Sequence, residues 1–123
     1  MGHAVQMPPT EIIDGEGKTM GVKEYYALRK AATSDVGWIW DRKAIAMKLH
    51  FDKVAWADAI LVLNHDKNGV PHYIGANTLL EMGLAFHHGK KILLLNPIPA
   101  MSYTEEILGM KPTVINGDLG LIA

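Results

Sequence analysis

The chain has 123 residues, of which 49% are hydrophobic and 20% are charged, and its formal net charge is -1 at pH 7. This length can bury a core without a metal, and the absence of cysteine excludes a disulfide framework and a thiolate nucleophile. The near-neutral charge gives no electrostatic case for a nucleic acid polymer, and no segment approaches the ~18 apolar residues of a membrane span. We therefore expect one globular domain over residues 1–123, with a cytoplasmic location by default.

The first half of the chain is predicted to contain one short strand and two helices. The strand is "HAVQM", residues 3–7, which stops at Pro8-Pro9. The residues that follow, "TEIIDGEGKTMG", are interpreted as a loop because they contain turn signals such as Asp14-Gly15. Composition predicts a helix over residues 22–32, and apolar residues spaced i, i+4, i+7 predict a longer helix over residues 38–57.

Strands and helices alternate in the second half of the chain. The continuous apolar runs "AILVLN" and "KILLLN" are typical of strands that are buried on both faces of a parallel sheet. A helix from about residue 78 to residue 88 lies between them, and Gly89 ends it. A capping box, Ser102 with Glu105, opens a shorter helix. The alternation predicts an α/β fold with a mainly parallel sheet of about four strands, near residues 3–7, 59–64, 91–95 and 113–115.

Three of the predicted strand regions end in the same residue type, at Asn64, Asn96 and Asn116. Asparagine is a common turn residue, so each of them has an ordinary structural explanation. The functional alternative is a row of polar groups along the crevice beyond the carboxyl ends of the strands, where α/β proteins bind ligands. Asn64 is the strongest case because His65 and Asp66 follow it directly.

Glu81 is a single carboxylate in a mostly apolar helix, and two explanations are open for it. Thr78 and Glu81 fit a capping box, in which Thr78 caps the helix and Glu81 reaches back to its backbone N–H. Alternatively, Glu81 faces the crevice beside the small residues Gly75 and Ala76, whose backbone N–H groups can hold an anion or a sugar hydroxyl. A carboxylate placed there can attack the anomeric carbon of a sugar, or stabilise the cation that forms there.

Residues 56–96 contain a longer set of matching elements. Ala57-Asp58 precedes the first apolar run, a polar loop follows it, and Thr78 stands three residues before Glu81. The pattern Glu-x-Gly-x-Ala, over residues 81–85, is then followed by Gly89-Lys90 and another strand. In this order the elements resemble the nucleoside 2-deoxyribosyltransferase superfamily, which includes the deoxynucleoside 5′-monophosphate N-glycosidases.

The resemblance implies a flavodoxin-like or Rossmann-like three-layer sandwich. It also implies that Glu81 corresponds to the nucleophilic glutamate of the family, and Thr78 to a serine that binds the sugar or phosphate of the substrate. The transferases often carry an aspartate, which can handle the proton of the base, where this chain has Asn64. Either Asp66 substitutes for that aspartate, or protonation of the leaving group is absent. The N-terminal residues look like the second strand of the family, so the sheet is expected to be N-terminally incomplete. Either the chain is truncated, or a partner or a rearrangement fills the gap.

These expectations define a nucleoside- or nucleotide-processing enzyme that acts at the N-glycosidic bond, by deoxyribosyl transfer or by hydrolysis. Its catalytic residues would be Glu81 and Asp66. The alternative is a catalytically silent nucleotide-binding or structural oligomeric protein of the same fold. In either case we expect a homodimer or higher homo-oligomer. The residues expected to bind substrate are Asn64, Gly75, Ala76, Asn77, Thr78 and Asn96.

Other residue patterns carry weaker signals. His87 and His88 point about 100° apart on a helix and cannot readily chelate a metal, and the histidines of the polar loop lack zinc-ligand spacing. The chain has no Gly-x-Gly-x-x-Gly, Walker lysine or Gly-x-Ser-x-Gly motif, so neither a metal nor a cofactor is predicted. Tyr25 and Tyr26 are interpreted as packing residues, with contact to the base as the alternative that the family suggests.

Overall fold

A computed structural model of the chain describes residues 3–7, 11–13, 18–31 and 37–122. The chain folds as two compact units, Gly2–His50 and Phe51–Ala123. The fold is mixed α/β, with four α-helices and a small parallel sheet of three strands in the described residues. Within those residues, no helix combines the length and the apolar character that crossing a bilayer requires. The single domain expected over residues 1–123 stays a prediction.

The N-terminal unit contains an antiparallel pair of strands that the sequence did not predict. Strand β1 (Glu11–Ile13) pairs with β2 (Thr19–Gly21), so these residues are not the loop that we expected. Turn signals between two short apolar stretches indicate a hairpin as readily as a loop. The strand predicted over residues 3–7 is also wrong, because this exposed segment joins no sheet in the described part of the chain. A strand forms only where its ladder groups find partners.

Helices α1 (Val22–Ala31) and α2 (Gly37–Trp56) follow β2, and their bounds are close to the predicted ones. Only the first part of α2, up to His50, belongs to the N-terminal unit. Tyr25 is buried between the two helices, and its hydroxyl donates to the carbonyl of Ile39 over 2.7 Å. Its ring centroid lies 6.4 Å from that of Trp38. Burial raises the pKa of Tyr25 above its ordinary value of 10.0. Tyr25 is therefore a packing residue of the N-terminal unit, whereas Tyr26 is 41% exposed.

The C-terminal unit is built on strands β3 (Ala59–Val62), β4 (Lys91–Leu94) and β5 (Thr113–Val114), which are parallel and lie in the order β3-β4-β5. Helix α3 (Ala76–His87) connects β3 to β4, and α4 (Thr104–Gly109) connects β4 to β5. A 3-10 helix, Leu119–Ile122, follows β5. The parallel sheet thus has three strands rather than about four, because residues 3–7 do not join it.

The hydrophobic cluster of this unit lies on one face of the sheet, and Leu93 of β4, which points to the opposite face, is buried as well. Within the cluster, alternate strand residues such as Val62, Ile92 and Leu94 pack against Met82 of α3 and Ile107 of α4. The connections from β3 to β4 and from β4 to β5 move in the same direction across the sheet. Because parallel connections are right-handed, α3 and α4 cover the same face. Leu61 points to the opposite face and is 38% exposed, so β3 is not buried on both faces as predicted.

Candidate functional site

The parallel topology brings the loops after β3 and β4 to one edge of the sheet, where α3 and α4 begin. All of the residues that the sequence predicted as site residues lie in these loops or in the first two turns of α3. In α/β proteins this carboxyl edge is where ligands bind. The candidate site is therefore assembled from residues 64–66, 75–81 and 96.

Asn64 and Asn96 bind each other across the ends of β3 and β4. The Asn64 Nδ2 group donates to the carbonyls of Asn96 and Pro97 over 2.9 and 3.1 Å. The Asn64 Oδ1 atom accepts from the backbone N–H of Asn96 over 2.9 Å. The Asn96 Nδ2 group in turn donates to the carbonyl of Asn64 over 2.9 Å. Val62 is paired with Leu94 in the sheet, and Asn64 and Asn96 each lie two residues further along. Their hydrogen bonds therefore continue the pairing of β3 with β4 in the same register.

This network changes what the two asparagines can offer a ligand. Asn64 is 1% exposed, and both of its Nδ2 hydrogens are used within the protein. It can therefore hold the loop in place but has no donor left for a substrate. Asn96 is half-buried and uses one Nδ2 hydrogen, so its Oδ1 atom and its second hydrogen have no partner within the described part of the chain. Of the two, Asn96 has more capacity to bind a ligand.

The loop after Asn64 is a small hairpin rather than an irregular segment. Lys67 and Val70 exchange two backbone hydrogen bonds of 3.1 and 2.9 Å. Between them, Asn68 and Gly69 have φ values of 52 and 75, which is the type I′ turn that Asn-Gly favours. The ammonium group of Lys67 lies 5.5 Å from the ring centroid of Tyr73. After this hairpin the chain leads to the start of α3.

Asp66 secures the base of this hairpin. Its Oδ1 atom accepts a hydrogen bond of 3.0 Å from the backbone N–H of His72, a residue with a positive φ of 58. The His72 Nδ1 atom lies 3.8 Å from the same oxygen, too far for a hydrogen bond, and it is buried without a partner among the described residues. The side chain of Asp66 is 76% exposed, so this carboxylate keeps access to a ligand while it orders the loop.

Helix α3 begins two residues earlier than predicted. Gly75 is its N-cap, with extended backbone at φ -79 and ψ 169, and no side chain caps it among the described residues. A Cβ atom on Gly75 would lie 3.3 Å from Cε1 of Tyr73, so glycine lets the tyrosine ring pack against the helix start. Ala76, Asn77 and Thr78 form the first turn, whose N–H groups have no acceptor within the helix itself.

The new helix start removes the capping-box explanation of Glu81. Thr78 is the third helical residue instead of the cap, and Glu81 lies in the second turn, beyond reach of the N-cap amide. Glu81 is half-buried beside the buried residues Met82 and Ala85. It shares one side of the helix with Asn77 and Thr78, which precede it by four and three residues. A carboxylate, an amide and a hydroxyl therefore lie along one side of the first two turns.

Tyr103 is a structural part of this edge that the sequence did not reveal. It is the N-cap of α4, and its hydroxyl donates to the carbonyl of Ile74, the residue before Gly75. Burial raises the pKa of Tyr103 above its ordinary value of 10.0, and the nearby hydroxyl of Tyr73 raises it further. The predicted capping box at Ser102 is wrong, because α4 begins after Tyr103 without a side-chain cap in the described residues.

Potential metal ligands do not gather at this edge. No group of three or more His, Cys, Asp or Glu side chains in the described ranges is arranged to hold a metal ion. The rings of His87 and His88 pack edge to face with their centroids 5.6 Å apart, at the other end of α3.

Comparison of the chain with protein-family models, with curated proteins and with solved structures finds no match in any of the three.

Proposed function

We propose that the protein acts at the N-glycosidic bond of a nucleoside or nucleotide, with Glu81 as the nucleophile. One observation carries this proposal: Glu81 is a half-buried carboxylate in the second turn of α3, where it cannot cap the helix. Glu81 lies on the same side of the first two turns as Asn77 and Thr78, at the carboxyl edge of the sheet, where α/β proteins bind ligands. The resemblance of residues 56–96 to the nucleoside 2-deoxyribosyltransferase superfamily suggests the chemistry for a carboxylate in that place.

In the proposed reaction, a Glu81 carboxylate oxygen attacks the anomeric carbon of the sugar. The glycosidic bond breaks, its electron pair leaves with the base, and a glycosyl ester forms on Glu81. Water then cleaves the ester, or a second base displaces it and completes a transfer. Two displacements at the same carbon retain its configuration. The Thr78 hydroxyl and the first-turn N–H groups of α3 would bind a sugar hydroxyl or a phosphate.

The departing base needs a proton, and Asp66 is the group that we propose supplies it. Asn64 cannot do so, since an amide is not an acid and its donors already bind Asn96 and Pro97. Asp66 is two residues further along, and its side chain is 76% exposed, so its carboxyl group is accessible to a ligand at this edge. Gly75, Ala76, Asn77 and Asn96 complete the proposed substrate site.

Activity on a panel of deoxynucleosides and their 5′-monophosphates tests this proposal. The wild-type protein should release free base, which chromatography measures, and Glu81→Gln should abolish the release. The matched control is Glu106→Gln, which changes an exposed glutamate of α4 and should leave the rate unchanged. Release by Glu81→Gln at the wild-type rate would contradict the assignment.

The second candidate is a catalytically silent nucleotide-binding protein with the same site. The observation in its favour concerns Asn64, at the end of β3, where the transferases often carry an acid. The side-chain amide of Asn64 is used in structural hydrogen bonds and is not an acid. Calorimetry separates the two candidates. Saturable binding of a nucleoside or nucleotide by wild-type protein that releases no base supports the silent protein.

The three-layer flavodoxin-like arrangement, the cytoplasmic location and the homo-oligomer are further parts of the proposal. The oligomer rests on the family habit of completing sites across subunits. Sedimentation velocity should give a dimer or a larger species at micromolar concentration. A stable monomer under those conditions would contradict the oligomer without bearing on the role of Glu81.

A further inference from the structure

The chain contains two Asn-Gly steps in the same backbone conformation. Asn68-Gly69 has φ values of 52 and 75, and Asn116-Gly117 has φ values of 49 and 76. Both asparagines are exposed. An asparagine before glycine is the most reactive pairing for loss of the side-chain amide, because glycine has no side chain to obstruct attack by its own backbone nitrogen. By sequence and conformation, the two steps are equivalent.

The hydrogen bonds of the two glycine amides distinguish these steps. The Gly117 N–H donates to the carbonyl of Leu95 over 2.9 Å, which ties the turn after β5 to the end of β4. The Gly69 N–H has no hydrogen-bond acceptor among the described residues, since the hairpin is closed by the bonds of Lys67 and Val70. The backbone nitrogen must lose its proton and move to attack. Gly69 is free to do so, whereas Gly117 must first leave Leu95.

The other three asparagines are protected in different ways. The Asn64 side chain is buried and bonded through both Nδ2 hydrogens. Asn96 precedes Pro97, which has no N–H with which to attack. Asn77 lies inside the first turn of α3, where the helical backbone restricts the following nitrogen. Asn68 is thus the most reactive of the five.

We propose that Asn68 is a site of spontaneous deamidation in the folded protein. The Gly69 nitrogen, having given its proton to water, forms a bond to Cγ of Asn68. The Cγ–Nδ2 bond breaks, and the nitrogen leaves with its electron pair as ammonia after taking a proton from water. The resulting succinimide is hydrolysed by one water molecule at either carbonyl, which gives aspartate or isoaspartate at position 68. The sequence needs no oxidant, cofactor or enzyme.

The product differs from the original loop in charge and in backbone length. A new carboxylate appears two residues from Asp66, and it adds a negative charge to a chain whose formal net charge is -1. The isoaspartyl form also adds one atom to the backbone of the two-residue turn. The longer turn must change the geometry of the two hydrogen bonds between Lys67 and Val70. The deamidation proposal does not rest on the proposed catalytic function.

Incubation of the folded protein in H₂¹⁸O at mildly alkaline pH, followed by peptide mapping, tests the proposal. The label should enter position 68 about tenfold or more faster than position 116, because Gly117 is released only by local opening. In concentrated urea the two positions should label at similar rates. Asn68→Gly, which suits a type I′ turn, should remove the fast phase, and the matched Asn116→Gly should leave it intact.

Equal labelling of positions 68 and 116 in the folded protein would overturn the proposal. So would faster labelling at position 116, a fast phase that survives in Asn68→Gly, or a folded protein that labels at neither position. Circular dichroism before and after incubation establishes that the labelled protein is still folded.

Discussion

Asn64 is the one polar side chain in the described residues that is fully buried, and its bonds explain its place at the end of β3. The sequence predicted a row of asparagines at the carboxyl edge, and the structure places Asn64 and Asn96 there. It did not predict that the two bind each other. Their bonding depends on the register of β3 against β4, which pairs Val62 with Leu94. An apolar run that fits several registers does not specify that pairing.

Replacement of Asn64 should destabilise the protein. Asn64→Ala removes three hydrogen bonds and leaves the Asn96 N–H without its acceptor, so the free energy of unfolding should fall by about 3 kcal/mol. Asn64→Asp should cost at least as much at neutral pH, because a carboxylate would face two carbonyl oxygens. Urea unfolding measures both changes.

The control for this prediction is Asn96→Ala, which removes one side-chain hydrogen bond and should cost about 1 kcal/mol. A stable Asn64→Asp variant with increased base release would show that position 64 serves the chemistry as an acid. The structural account of Asn64 would then be wrong.

Helix α3 shows which of its ends could be predicted. Gly89 has a φ of 69, with hydrogen bonds from its own N–H to Phe86 and from the Lys90 N–H to Ala85. This is the Schellman ending that a glycine after an apolar helix indicates. The start was misplaced because Thr-x-x-Glu occurs inside helices as well as at their ends. Gly75 caps through its extended backbone and leaves no side-chain signal.

Two glycine-to-alanine substitutions in and after α3 should have opposite effects on stability. Gly83 lies inside the helix with open space where a Cβ atom would lie, so Gly83→Ala should stabilise the protein by about 0.5–1 kcal/mol. Gly89→Ala places a side chain at a positive φ and should destabilise it by about 1 kcal/mol. Thermal and urea unfolding of both variants measure the difference.

Each variant controls for the other, since the substitution is identical and the two positions are only six residues apart. A destabilised Gly83→Ala would mean that another part of the molecule approaches the helix at that point. Base release should be unchanged in Gly83→Ala, because residues two apart on a helix do not face the same side and Glu81 is two residues away.

At the scale of the whole molecule, the alternation of apolar runs and helices predicted β3, β4 and β5 and their parallel arrangement. The sequence failed in the N-terminal unit, where β1 and β2 replace a predicted loop and residues 3–7 form no strand. The strands of the antiparallel pair have three residues each, too few to show a period. Longer apolar runs that alternate with helices, such as β3 and β4, indicate their strand pairing far better than these short strands do.

The protein as a whole should lose stability at alkaline pH. The pKa values of Tyr25 and Tyr103 are raised above 10.0 in the folded state, chiefly by burial. Above that pH the unfolded chain releases protons that the folded chain keeps, so the free energy of unfolding falls as pH rises. Below pH 10 this contribution is fully present. Urea unfolding at a series of pH values from 8 upward measures the decline.

Phenylalanine substitutions assign the decline to these two residues. Tyr103→Phe should lower stability at neutral pH by about 1 kcal/mol, because the Ile74 carbonyl loses its donor. Its alkaline decline should nevertheless be shallower than that of wild type. Tyr25→Phe should act in the same direction, and the double variant should show the shallowest decline. An unchanged slope in the double variant would contradict the assignment.

The most direct test of the central claim is a search for a glycosyl ester on Glu81. Wild-type protein that is acid-quenched during turnover of a 2′-deoxynucleoside should gain the mass of one deoxyribosyl group, and the label should map to the α3 peptide at Glu81. Glu81→Gln should gain no mass, while Glu106→Gln should label as wild type does. An ester on another residue, base release without any ester, or a wild-type protein that neither labels nor releases base from any member of the panel would contradict the account.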